Sequence, residues 1–223
     1  MPTEPLEYSA VGLLWGDCMV NRIAVLSIMI LLILEFSDLF RLFPHLFRCV
    51  VIWKGNLELE HSVSLARTRN TVSLVLAAVL CIVCDRWGVI SPSFKTALPA
   101  EWQLAVSTAL IAGYVLLRRL LYLASKYRTM NNEFAATLRH SVYNYQILLS
   151  VLMLVSGLLL KAFRVPDASV RIVLLIEAAA FALLHLVRSG QILSSRCSIF
   201  STFLYLCALE ILPLGVLIFV CTL

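Results

Sequence analysis

Phe203-Leu-Tyr-Leu-Cys-Ala-Leu-Glu210-Ile-Leu-Pro213-Leu-Gly-Val-Leu-Ile-Phe219 is an apolar run that, with its flanks, is long enough to cross a bilayer. A spanning helix needs about 20 mostly apolar residues, and this one carries a carboxylate near its midpoint. An ionised group at that depth costs roughly 2.5–3.5 kcal/mol on insertion scales, so Glu210 must face protein or water and find a partner. Three residues later Pro213 has no N–H, which leaves the Leu209 carbonyl without its usual donor. One helical turn thus offers a carboxylate and a free carbonyl. That suits either a structural hydrogen bond to a neighbouring helix or a relay for a proton or small cation.

The rest of the chain has the composition this run requires. Of 223 residues, 61% are hydrophobic and 14% charged, with a mean hydropathy of +0.93; soluble domains are about 45–50% apolar and about 25% charged. Lipid must be the solvent. About six runs fit, near residues 19–40, 71–90, 102–123, 141–163, 170–187 and 199–221, and they leave no room for a sizeable soluble domain. The expected fold is all-α: a polytopic bundle of six transmembrane helices with one or two interfacial helices, forming one integral membrane domain over residues 1–223. The seven cysteines are odd in number and mostly lie in apolar runs, which argues against a disulfide framework. Glu4 and Glu7 stand where a cleaved signal would carry positive charge, so the first apolar run is expected to stay.

Within the first run, Glu35 and Asp38 share a face near the inner end. They read as acids paired to Arg41 or Arg48, or as a cation or proton site at the mouth of a pathway. Leu42, Phe43, Leu46, Phe47, Val50 and Trp53 then recur at helical spacing, the pattern of a helix lying in the membrane interface. Gly55-Asn56 is expected to break it. Glu58, Glu60, Arg67 and Arg69 should follow in a solvated segment. Ala109 and Gly113 form a small-xxx-small pair able to admit a neighbouring helix. Arg118 and Arg119, beside Tyr122 and Tyr127, look like an interface anchor. The stretch from Ala124 to His140, with Lys126, Arg128 and Arg139, is expected to include another surface helix.

The net charge of +5 comes from basic residues lying between the apolar runs. This fits anionic headgroups; no aromatic-basic module of nucleic-acid proteins is present, so no nucleic-acid partner is expected. Residues 41–71, 118–141 and 188–198 fall on one side and hold two-thirds of the 18 Lys and Arg. By the positive-inside rule that side is cytoplasmic and both termini are outside. The expected partners are the lipid bilayer and other membrane proteins or further copies of the chain.

Glu177, His185 and Arg188 lie roughly along one side of the fifth helix, a polar stripe that should face the bundle interior. His140 and His185 have similar expected depths, but no metal-ligand spacing such as HExxH occurs, so no metal or cofactor is expected. Cys81 and Cys84 have the spacing of a thiol redox pair, as in quinone-linked disulfide-forming membrane enzymes; they also suit plain apolar packing. No Ser-His-Asp order or phosphate loop is present, so catalytic machinery of the soluble kind is not expected.

The Leu204–Leu214 stretch and the Arg41-Leu-Phe…Leu46-Phe47-Arg48 run together resemble an uncharacterised family of Gram-negative inner-membrane proteins, a domain of unknown function. The resemblance implies a single multi-pass domain and supplies no activity. The function expected is that of an assembly factor, complex subunit or minimal transporter with Glu210 as the key buried group. The alternatives are thiol-disulfide exchange at Cys81 and Cys84, or proton- or cation-coupled transport through Glu210 and Glu177.

Overall fold

The computed structural model describes residues 15–52, 54–96, 98–124, 132–195 and 198–222. Glu4, Glu7, Trp53, Lys126, Tyr127 and Arg128 lie outside the described residues. The elements are helices: α1 (Met19–Val51), α2 (Lys54–His61), α3 (Val63–Arg86), α4 (Ser93–Thr96), α5 (Ala100–Ala124), α6 (Asn132–Ala162), α7 (Asp167–Ser194), α8 (Ile199–Leu206), a π-turn (Cys207–Ile211) and α9 (Leu212–Thr222). Six are long and apolar enough to span a membrane, counting α8, the π-turn and α9 as one. The spans alternate in direction, so residues 15 and 222 share one face and α2 lies on the other.

α3 is the central helix, packed on α1, α5 and α6, while α7 packs on α6 and α8. Its Val72, Leu76, Val79 and Val83 share a core with Leu42 and Leu46 of α1, Ile147 and Met153 of α6, and Leu174 of α7. The opposite surfaces, such as Leu26, Ile30, Ile33 and Leu34 of α1, are exposed for lipid. Lipid is as apolar as leucine, so helix association rests on close packing and polar contacts.

Several sequence expectations need correction. Residues 41–51 are no separate interfacial helix; they continue α1 through Pro44, and Leu42, Leu46 and Cys49 are buried in protein. An apolar stripe at helical spacing has the same pattern whether lipid or protein covers it. Gly55-Asn56 breaks nothing, since both lie inside α2. A side chain at Gly55 would meet the Arg48 carbonyl and the Cys49 nitrogen at 3.0 Å, so its bareness lets α2 seat against α1. Arg69 is buried within α3, and the helix expected between Ala124 and His140 is no separate surface helix: from Asn132 it is the start of α6. Among the described residues of the chain, nothing lies within 4 Å of where a Gly113 side chain would start. The close approach is at Gly157, under the Trp87 ring.

The two turns facing residues 15 and 222 are alike. After α3, Val89 N–H returns to Cys84 O at 2.9 Å, and after α6, Val165 N–H returns to Leu160 O at 3.0 Å. Each closure needs a left-handed residue, Gly88 (φ 59°) in one and Arg164 (φ 57°) in the other.

Candidate functional site

Glu210 sits in the π-turn. Leu212 N–H reaches back five residues to Cys207 O, and Pro213 has no N–H to offer, so the wider turn absorbs the break the proline makes. Glu210 is 4% exposed.

Arg118 of α5 meets this carboxylate with a two-pronged fork, Nε to Oε2 at 3.0 Å and Nη2 to Oε1 at 2.7 Å. Tyr122, one turn along α5, donates its hydroxyl to Oε1 at 2.6 Å. His185 of α7 approaches Oε2 through Nε2 at 3.1 Å. Arg118 also packs over the Tyr122 ring, 4.9 Å from its centre. An ionised carboxylate only accepts, so the hydrogen between them sits on His185 Nε2. Among the described residues, Nδ1 is buried without a hydrogen-bond partner, and so is the hydroxyl of Ser189 one turn further along α7. The quartet thus joins three spans around one ion pair and leaves one buried ring nitrogen unpartnered among the described residues.

Polar contacts continue toward α2. The His185 ring lies 5.2 Å from that of Tyr145, whose hydroxyl donates to Cys49 O at 3.3 Å. Asn56 Nδ2 donates to the same hydroxyl, and Asn144 Nδ2 to Asn56 Oδ1 at 2.8 Å. Beyond them Glu60 of α2 takes Arg69 at 2.7 Å and His140 at 2.8 Å. Burial pushes the Glu60 carboxyl up, but the hydrogen bonds from His140 and Arg69 outweigh it and hold it at about 2. The folded value lies below the ordinary one of about 4.3, so this stabilisation is complete above that value and is lost as pH falls toward 2. Thermal midpoints of the detergent-solubilised protein between pH 6 and 3 should fall by the equivalent of about 2 kcal/mol, more steeply than those of Glu60→Gln. Parallel curves for the two proteins would refute the assignment.

The other expected site residues lie apart from the quartet. Glu177 accepts from Ser156 at 3.0 Å. Arg188 donates to Val50 O at 2.6 Å and Val51 O at 3.0 Å, capping the C-terminus of α1. The stripe of Glu177, His185 and Arg188 is therefore three separate contacts. Arg48 pairs with Glu58 and not with Glu35 or Asp38; Glu35 keeps one buried oxygen without a partner, and Asp38 is exposed. Cys81 and Cys84 are free and buried. His140 and His185 serve different carboxylates, and no group of three metal-ligating side chains occurs among the described residues.

Arg118 and Tyr122 escape the sequence reading, in which they anchor an interface. The one signal available was their i,i+4 spacing on an otherwise apolar helix. A second ionic centre escapes it too. Asp85 Oδ1 takes Lys95 Nζ at 2.6 Å and the Ser107 hydroxyl at 2.7 Å, and Ser107 accepts from Lys95 at 2.8 Å. Trp15 Nε1 donates to Asp85 Oδ2 at 2.6 Å.

Fold and site together define a polytopic helical membrane protein that holds two buried ionic centres. The chain belongs to the family described as "Domain of unknown function (DUF4271)", whose model matches residues 23–220. No curated protein and no solved structure matches it.

Proposed function

We propose that this protein is a minimal proton-linked transporter of a bacterial inner membrane, with His185 as the group that takes up and releases the proton. The supporting observation is the buried, unpartnered Nδ1 of His185, whose other nitrogen is committed to Glu210. Protonation at Nδ1 changes the quartet from neutral to positive without breaking any of its hydrogen bonds. The Glu210 carboxylate then faces two cations, and the Tyr145 ring lies 5.2 Å from the ring that changed. An ionisable group inside a span marks a pathway more often than not. The excess of Lys and Arg around α2 favours a cytoplasmic location for that face, with residues 15 and 222 outside.

The test is proton flux into proteoliposomes holding a trapped pH dye, under an imposed gradient. Wild type should exceed empty vesicles, and His185→Phe should return to the empty-vesicle rate while still reconstituting as a folded protein, at a thermal midpoint lowered by the loss of one donor to Glu210. Wild type equal to empty vesicles, or His185→Phe equal to wild type, would sink the proposal. A complex subunit or assembly factor is the second reading, favoured by the saturation of both Glu210 oxygens. It expects no flux, and loss of a co-purifying membrane partner in Glu210→Leu.

A further inference from the structure

The Asp85–Lys95–Ser107 centre is built independently of the quartet. Asp85 ends α3, Lys95 lies on α4 in the connector, and Ser107 is on α5. Ser107 and Arg118 are eleven residues apart, close to three turns, so they share one side of α5 about 16 Å apart. Ile111 and Tyr114 occupy that side between them. Two ionic centres thus lie along one rod with an apolar and aromatic interval between them.

Three of the four donor contacts within the first centre come from Lys95 on α4 and Ser107 on α5. The fourth comes from Trp15, in the short segment ahead of α1. That segment is tied to the start of α1: Asn21 donates to Trp15 O at 3.0 Å, Arg22 donates to Gly16 O at 2.7 Å, and Arg22 pairs with Asp17 at 3.0 Å. Across to α3, the Trp15 indole holds Asp85 Oδ2, and the Arg86 guanidinium lies 5.5 Å from its ring centre. Asp85 and Lys95 are nonetheless nearly inaccessible. Beside them the Cys84 thiol is free and buried, in a core shared with Trp87 and Ile90.

We propose that Trp15 is a latch that closes the Asp85–Lys95 centre at the face carrying residues 15 and 222. When the indole leaves, Asp85 Oδ2 loses its sole donor among the described residues, and water from that face replaces it. Lys95 and Ser107 remain on Oδ1, so the ion pair survives and the opening is local. A local opening of this kind exposes neighbours in proportion to its population, and the buried Cys84, next to Asp85 in the chain, is a built-in reporter. This inference stands whether or not His185 carries protons.

The experiment uses the full chain in native membranes, alkylated with N-ethylmaleimide, with adducts located by peptide mass spectrometry. Cys49, buried near α2, is the internal control. Trp15→Ala should raise the alkylation rate of Cys84 about tenfold, the scale of losing one hydrogen bond to a charged group, and leave Cys49 unchanged. Trp15→Phe keeps a ring for Arg86 and removes only the N–H; it should give a smaller rise at Cys84 and none at Cys49. No rise at Cys84 in either variant would overturn the latch. So would an equal rise at Cys49 and Cys84 in Trp15→Phe, since that marks general loosening.

Discussion

Replacing Arg118 with methionine is expected to cost about 3–5 kcal/mol of stability, because it leaves a buried carboxylate without its cation. Tyr122 and His185 would still donate to Glu210, but neither supplies a fixed charge. Glu210→Leu should cost a similar amount, this time by stranding the guanidinium. The double variant Arg118→Met/Glu210→Leu should lie nearer wild type than either single one, since it removes both charges and refills the space with apolar atoms. Equilibrium unfolding in mixed micelles of rising SDS fraction measures all four proteins. Single variants within about 1 kcal/mol of wild type would mean that the fork is not holding α5 to the π-turn.

Lys95→Met carries the second large expectation, again about 3–5 kcal/mol. Asp85 would keep Ser107 and Trp15 as donors, both neutral. The two centres share no side chain, and about 16 Å of α5 lies between Ser107 and Arg118. Stability losses at sites so far apart add to within about 0.5 kcal/mol. The combined variant Lys95→Met/Arg118→Met should therefore lose the sum of the two. A markedly smaller loss would show that the centres open together as one unit.

Much of the bundle is legible in the sequence because a run of some twenty apolar residues has few other uses. Glu210 is legible for the same reason, as an acid with no neighbouring charge in its own helix to satisfy it. Its partner is not. Arg118 stands next to Arg119 near the end of an apolar run, where a headgroup anchor and an ion-pair partner present the same letters. Only the placement of α5 against the π-turn separates them. Asp85 and Lys95 are hidden in a similar way, since charges at the end of a span and in a short connector usually meet water. The misreading of residues 41–56 has another cause. Periodicity reports that one face is apolar and says nothing of what covers it, while a glycine that permits a close approach resembles one that ends a helix. The π-turn had a single forewarning in Pro213, which requires some local departure from the regular ladder.

The long first helix bears on the bilayer itself. α1 has 33 residues, about 50 Å of helix at 1.5 Å per residue. Yet Arg22 and Glu35 bracket only a dozen uncharged positions, about 18 Å, against a hydrocarbon layer of about 30 Å. Acyl chains beside this helix have to pinch inward, or the two charged side chains have to stretch toward the headgroups, to close the mismatch. Whichever of the two adjusts, the fit of this flank should make the protein's stability depend on the chain length of the surrounding lipid.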